Sequence, residues 1–199
     1  DPAMFVSTAE GVLRLSPEQG VADGVDEAVR ASRFQIKHGA RAIKISATAG
    51  VMSLESSVGA QQYTEAEMRA AVEEAGRHGI AVAAHAHGTA GINAAIRAGV
   101  ASIEHGSLVD DESIRLMKAH GTFLVPTTGL ADIIQLDGLP TPIRQKAEHI
   151  LPLAKANLSN AIRAGVKIAM GSDAPLIPHG ENAREIYAMV DRGMSVPDA

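Results

Sequence analysis

The sequence has no cysteine, no apolar run long enough to span a membrane and no signal-peptide pattern at its start. The missing cysteines exclude a disulfide framework and thiolate chemistry, and they fit a reducing compartment, so a cytoplasmic location is the default expectation. The sequence also has no long run of charges of one sign, and its net charge is −5. Binding of nucleic acid through a basic surface and attachment to an anionic membrane are therefore not expected.

The 199 residues are enough for one domain with a sizeable core, and the apolar and charged fractions of 46% and 21% are ordinary for a globular protein. The chain starts with Asp1 rather than methionine and ends without a clear finish. We expect a single domain over residues 1–199 that is a piece of a longer chain.

A unit of amphipathic helix, glycine and short apolar run recurs along the chain. Glycine suits the left-handed residue that closes a helix. Near-continuous apolar runs are typical of parallel strands that are covered on both faces. The predicted strands are 40–46, 80–84, 100–103, 122–125 and 166–170.

The helices between these strands carry recognisable start signals. Thr64 and Glu67 match a capping box, Asp110 is a plausible N-cap, and a further helix is predicted to begin near Thr89. Asp23 or Asp26 is expected to open the first helix. The inner face predicted for that helix includes Val25, Val29 and Ile36.

Alternating helices and strands predict an α/β fold with a parallel sheet, either doubly wound or part of a barrel. A polar residue stands near the end of nearly every predicted strand. In a (β/α)₈ barrel, such strand ends converge on one face and build the active site. That position favours the barrel, and the absence of a dinucleotide-binding or Walker loop weakens the doubly wound alternative. The polar strand-end residues are Lys44, His85, His105, Thr127 and Asp173.

Lys44 lies between two isoleucines in a strand that is predicted to be buried. An unpaired ammonium there would be costly, so the amine must be paired, deprotonated or modified. One interpretation is a lysine that reaches the strand end or pairs with a carboxylate. The other is a lysine whose amine has captured carbon dioxide, giving a carbamate that can bridge two divalent metal ions.

His85 and His87 alternate along one strand and therefore face the same side, and His105 follows the next strand. Three histidines near strand ends favour a metal site over isolated polar residues. Glu104 should point away from His105, to anchor a neighbouring helix or to orient a metal ligand. Asp173 could be turn chemistry on its own, but in this company a carboxylate can bind a metal and take a proton from water.

The segments 39–45, 83–88, 98–106 and 171–173 resemble the amidohydrolase superfamily. The likeness is to the branch of imidazolonepropionase-like enzymes and metal-dependent Xaa-Pro or Xaa-Arg dipeptidases. It implies a partial (β/α)₈ TIM barrel that begins at strand four, without the first three strands and the small β domain. The family holds its first metal with a His-x-His pair on the first strand, and this sequence has no such strand.

The resemblance also implies roles for individual residues. Lys44 would be the carboxylated bridging ligand, and His85 and His105 would bind the second metal. Asp173 would bind the first metal and carry the proton. His87 and Tyr63 resemble residues near the substrate, although the choice between His85 and His87 as the ligand stays open.

The main hypothesis is hydrolysis of a C–N bond, in an amide, a lactam or a dipeptide, by metal-activated water with Asp173 as the catalytic residue. The cofactor would be one or two divalent ions, with Zn²⁺ expected, and Lys44 would be carboxylated in the binuclear case. One alternative is a mononuclear, imidazolonepropionase-like lactam hydrolase with an unmodified lysine. Another is a truncated, non-catalytic barrel fragment. The expected partner is a small molecule or dipeptide, and a homo-oligomer stays open.

Overall fold

A computed structural model describes residues 20–52 and 57–199 together with the backbone of residues 3–6. The strands are β1 (Ala3–Val6), β2 (Ala42–Ser46), β3 (Ala81–Ala86), β4 (Ser102–His105) and β5 (Phe123–Val125). The helices are α1 (Val25–Lys37), α2 (Glu65–Gly76), α3 (Thr89–Ala98), α4 (Asp111–His120), α5 (Leu130–Ile133), α6 (Thr141–Arg163) and α7 (Arg184–Asp191), with a 3₁₀ turn at Leu136–Gly138.

The five strands form one parallel sheet in which each strand lies beside its predecessor, in the order β1-β2-β3-β4-β5. A helix connects each strand to the next, so the α/β class and the parallel sheet are confirmed. A doubly wound sheet reverses its strand order at a switch point, and the described strands have no such reversal. Sequential parallel order is the arrangement of a barrel wall.

Two strand predictions were wrong. Residues 166–170 do not form a strand but make one parallel bridge, between Ile168 and Leu124. There the Leu124 amide donates to the carbonyl of Lys167, and the amide of Ala169 donates to the carbonyl of Leu124, both at 2.9 Å. The segment therefore lies where the next barrel strand was expected, although its pairing stops after one bridge.

The sheet also does not begin with the strand of Lys44, as the sequence had indicated. β1 (Ala3–Val6) pairs in parallel with β2 and adds a strand in front of it. The sequence pattern does not reveal this strand, because its four residues have no preceding helix and glycine and so do not repeat the unit that identified the others.

Side-chain capping interactions mark where α2 and α4 begin. The Glu67 carboxylate accepts from the Thr64 amide at 2.7 Å and the Thr64 hydroxyl accepts from the Glu67 amide, which confirms the capping box. Asp110 caps α4, as predicted, by accepting from the Ser113 amide at 2.8 Å. The predicted start of α3 at Thr89 is also confirmed.

The first helix differs from its prediction. Its N-cap is Gly24 rather than Asp23 or Asp26, because the Gly24 amide donates to Glu67 of the neighbouring helix α2 at 2.8 Å. Val25 is 44% exposed. Ile36 packs against the core, as predicted, while the fully buried positions of the helix carry small or polar side chains. The buried residues of α1 are Ala28, Ala31, Ser32 and Gln35.

The alternation of side chains along the strands separates the core from the site. Ile43 and Ile45 of β2, and Ile103 of β4, are buried in the hydrophobic core. Lys44 and Ser46 alternate with these isoleucines and lie on the other face of the sheet. No helix in the described part of the chain is both long enough and apolar enough to cross a membrane.

Candidate metal centre

The register of the parallel strands brings the predicted polar residues to one end of the sheet. Ser46 pairs with His85, His85 with Glu104, and Ala86 with His105. A cavity of about 800 Å³ opens at this end. Its lining includes Lys44, His85, His87, His105 and Asp173.

The three histidines form a compact cluster. One ligating nitrogen from each of His85, His87 and His105 lies within 4.8 Å of the others. The rings of His87 and His105 are stacked, with an interplanar angle of 7° and centroids 4.8 Å apart. The His85 ring stands edge-on to both, at 4.8 Å from His87 and 4.6 Å from His105.

Hydroxyl groups orient two of these rings. Nδ1 of His87 lies 2.8 Å from the Ser107 hydroxyl, and Nδ1 of His105 lies 2.8 Å from the Thr127 hydroxyl. With Nδ1 engaged, Nε2 is the ring nitrogen that is left for a ligand in each case. Fixing the second nitrogen in this way is how proteins orient imidazoles that bind metals.

The backbone near Gly50 leaves room for the ring of His85. A Cβ atom at this position would stand 3.0 Å from Nε2 of His85 and 3.9 Å from Nε2 of His87. A side chain there would press on the ring of His85, whereas the distance to His87 is an ordinary van der Waals contact. Gly50, which the sequence pattern does not mark, therefore keeps the space in front of the His85 ring open.

The electrostatics of the cluster keep the imidazoles neutral. Burial lowers the pKa of His85 well below its ordinary value, and the neighbouring His105 and Lys44 lower it further. Burial acts in the same direction on the pKa of His105, with His87 and Lys44 contributing. The pKa of His87 falls to about 3, chiefly through burial and then through His85. Neutral imidazole is the form that binds a metal ion, so the cluster fits a divalent ion such as Zn²⁺.

Three non-glycine residues at this end have left-handed backbone conformations: His105 at φ 71°, Thr127 at φ 50° and Asp173 at φ 54°. Such conformations cost roughly 1–3 kcal/mol each and concentrate at functional sites. His105 is the last residue of β4, Thr127 lies two residues after β5, and Asp173 follows the apolar run 166–170. The backbone strain therefore coincides with the residues that turn from the strands into the cavity.

Two carboxylates lie near Lys44. Burial raises the pKa of Asp173, and the charge of Lys44 opposes that rise. Burial likewise raises the pKa of Glu104, which accepts from the Ser102 hydroxyl at 2.6 Å. Glu104 is in register with His85, on the face opposite the helix-packed Ile103. The suggestion that Glu104 anchors a helix is therefore wrong, while a role in orienting a ligand stays a hypothesis.

Tyr63 lies in the hydrophobic core and not beside the histidines. Its side chain is 2% exposed in the hydrophobic core, and its hydroxyl donates to the Ala22 carbonyl at 3.1 Å. It is not part of the cavity lining. The structure thus does not bring Tyr63 to the position that the resemblance implied, because its hydroxyl links the segment before α1 to the segment before α2.

The cavity also has an apolar wall that the sequence motifs did not indicate. The wall comes from α5, the segment after it, and one face of α6. The helical periodicity of α6 could have revealed an apolar stripe, but not that the stripe faces the histidines. The apolar residues of this wall are Leu130, Ile133, Ile134, Leu139, Ala147, Ile150, Leu151, Ala154 and Leu158.

The model of the amidohydrolase family matches residues 3–198, almost the whole chain. This chain belongs to the amidohydrolase family. Among curated relatives, the ochratoxinase of Aspergillus niger is 40% identical over 180 residues, which are 89% of this chain and 37% of that protein. An uncharacterised protein of Mycobacterium bovis is 32% identical over 144 residues, 69% of this chain and 38% of that relative.

The fold of this chain also matches solved structures of related proteins. The amidohydrolase chain superposes with a TM-score of 0.88 and 37% identity on a Xaa-Pro dipeptidase with methionine bound in its active site, covering 96% of this chain and 51% of that one. The match to the A. niger ochratoxinase structure has a TM-score of 0.80 and covers 90% and 41% of the two chains. The chain thus spans about half or less of these relatives, and the prediction of a partial TIM barrel is confirmed.

Proposed function

We propose that this chain carries a divalent metal site that serves the hydrolysis of a C–N bond in an amide or dipeptide. The observation that carries the proposal is the convergence of three neutral imidazoles with Lys44 and Asp173 in one cavity of an amidohydrolase chain. The proposed reaction is the attack of water on a carboxamide carbon, which releases an amine and a carboxylate.

The residues that would hold the metal are His85 and His105, with His87 as a third imidazole beside them. A set of imidazole ligands suits Zn²⁺. When bound there, such an ion supplies Lewis acidity, which lowers the pKa of water and polarises a carbonyl group. In a binuclear site, Lys44 would contribute as a carbamate, for which its position on the inner face of β2 is suitable.

Asp173 is the proposed general base and acid. Its carboxylate takes a proton from the attacking water and delivers it to the leaving nitrogen, so that the nitrogen leaves as a neutral amine. Burial supports this role, because a carboxylate with a raised pKa holds a proton more readily than an exposed one. The positive charge of an unmodified Lys44 opposes this rise of the pKa, and a carbamate at Lys44 would not.

The apolar wall formed by α5 and α6 indicates the kind of substrate. A concave, mainly apolar lining with few polar groups binds apolar substituents and leaves the polar groups to fix orientation. We therefore propose amide substrates with a bulky apolar group next to the scissile bond. The related Xaa-Pro dipeptidase, which holds methionine in its active site, binds an apolar amino acid of this kind.

A mononuclear lactam hydrolase is the second candidate. The three imidazoles lie within 4.8 Å of one another without Lys44, so they could hold a single ion while the lysine stays unmodified. Metal stoichiometry separates the two candidates. About two ions per chain, falling to one in Lys44→Ala, supports the binuclear site, whereas one ion that is indifferent to this substitution supports the mononuclear site.

The activity test uses the 199-residue chain loaded with Zn²⁺. It is offered N-acyl amino acids and dipeptides with bulky apolar or charged side chains. We expect release of amine from the apolar substrates and a loss of on the order of 10²-fold or more in Asp173→Asn. Asp191→Asn on the exposed side of α7 is the matched control and should retain activity. Zinc binding without any turnover would contradict the proposal and favour a non-catalytic barrel fragment.

A further inference from the structure

Glu185 is a buried carboxylate that the proposed reaction does not use. It is the second residue of α7 and its side chain is fully buried, although glutamate is seldom buried without partners. Its carboxylate accepts from the amide of Thr128 at 2.8 Å and from the amide of Gly129 at 2.5 Å. These contacts join residues 56 and 57 positions apart in the sequence.

The segment that Glu185 holds is the connection between β5 and α5. Thr127 comes directly before the two amides that bind Glu185, and its hydroxyl lies 2.8 Å from Nδ1 of His105. Thr127 also has the left-handed backbone conformation, at φ 50°, which a β-branched residue adopts only when its surroundings fix it. The hydrogen bonds from the Thr128 and Gly129 amides to the Glu185 carboxylate lie next to Thr127 and can fix this conformation.

The packing of α7 on this connection is close. A Cβ atom at Gly129 would stand 2.9 Å from a carboxylate oxygen of Glu185 and 3.2 Å from its Cα and its amide nitrogen. Glycine is therefore needed here because the backbones approach each other. A second interaction strengthens the contact, since Arg192, the residue that follows α7, pairs with Asp132 of α5 at 2.6 Å.

From this chain of contacts we infer that Glu185 is a positioning residue for the metal centre: it fixes the β5–α5 connection so that Thr127 orients His105. The inference rests on the proposed function, because it assigns His105 to a metal site. Glu185 itself does not line the cavity, and its carboxylate binds the backbone of the lining residue Thr128 rather than an imidazole. Its effect on His105 runs through the backbone of Thr128 and the hydroxyl of Thr127.

The test compares three single variants of the full chain. Glu185→Gln keeps the shape of the side chain but sets an amide group against one of the two N–H donors. Gly129→Ala disturbs the same contact from the other side without changing charge. Glu74→Gln is the matched control, since Glu74 is also a buried helical glutamate but binds Arg33 and Arg77 away from the cavity.

Two measurements are made on each variant. Zinc affinity is determined by competition with a chelating dye, and the His105 ring is followed by ¹⁵N NMR in the zinc-free protein. We expect Glu185→Gln and Gly129→Ala to weaken zinc binding on the order of tenfold and to shift the His105 Nδ1 resonance. Glu74→Gln should lower the melting temperature without either change.

Thr127→Val gives the sharper control. If Glu185 acts through Thr127, adding Glu185→Gln to Thr127→Val should weaken zinc binding by much less than tenfold. An unchanged zinc affinity and an unchanged His105 resonance in Glu185→Gln would overturn the inference and leave Glu185 as a support for folding alone. If the wild-type chain binds no zinc, the proposed metal site fails, while the zinc-free His105 resonance still decides the role of Glu185.

Discussion

Thr48 is a buried residue whose hydroxyl binds the backbone of His87, a member of the histidine cluster. It is 1% exposed, and its hydroxyl accepts from the His87 amide at 2.9 Å and donates to the Ala49 carbonyl at 3.0 Å. Thr48→Val replaces the hydroxyl with a methyl group of nearly the same volume. The substitution therefore removes two hydrogen bonds with little change in packing.

The structure gives the size of the effect. The Ala49 carbonyl keeps a partner, since it also accepts from the Gly59 amide at 3.0 Å. The His87 amide is left buried without its hydroxyl acceptor, which costs about 2 kcal/mol. For a domain of this size, a loss of about 2 kcal/mol lowers the melting temperature by roughly 4–8 °C.

The assay is thermal and urea unfolding of the wild type, Thr48→Val and the control Thr48→Ser. The serine variant keeps the hydroxyl and loses only the methyl group that faces Gly91, so it should lose about 0.8 kcal/mol. The expected order of stability is wild type, then Thr48→Ser, then Thr48→Val. A Thr48→Val variant as stable as Thr48→Ser would refute the claim that this hydroxyl satisfies the His87 amide.

Three further predictions follow from other parts of the molecule. Thr127→Val should weaken zinc binding by about 10–100-fold in a chelator competition, because the His105 ring loses its hydroxyl partner, whereas Thr127→Ser should bind normally. The pKa of Glu74 is lowered chiefly by the hydrogen bond from Arg33, so this stabilisation is present above about pH 4.3, the unfolded value, and is lost as the pH falls through the folded value. Glu74→Gln should thus lower the urea midpoint at pH 7, by an amount that shrinks as the pH falls below about 4.3, and a loss that does not change with pH would contradict the assignment. Asp110→Ala should cost about 1 kcal/mol in urea unfolding, since it removes the N-cap of α4, and an unchanged midpoint would speak against the cap.

The sequence predicted the elements whose signals are local. The capping box at Thr64 and the N-cap at Asp110 each depend on two residues three positions apart, so they can be recognised without knowing the fold. The recurring unit of helix, glycine and apolar run placed β2 to β5 in order. It did not find β1, and it extended residues 166–170 into a strand, because pairing depends on a neighbour that the pattern does not show.

In the candidate site, too, some residues could be predicted from local sequence signals and others could not. The strand-end pattern and the family motifs predicted Lys44, His85, His105 and Asp173, and the register of parallel strands then brings them to one cavity. The positions that arrange these residues depend on contacts between distant segments. Glu185 is the clearest case, since its carboxylate binds amides more than fifty positions away.

The proposed metal site requires that the imidazoles of His85 and His105 bind a divalent ion. Equilibrium dialysis of the metal-free chain against Zn²⁺, followed by elemental analysis, tests it most directly. We predict at least one zinc ion per chain, lost when both histidines are replaced by asparagine and kept in His120→Asn at the exposed end of α4. Zinc binding that is absent from the wild type, or unchanged in the double variant, would contradict the account.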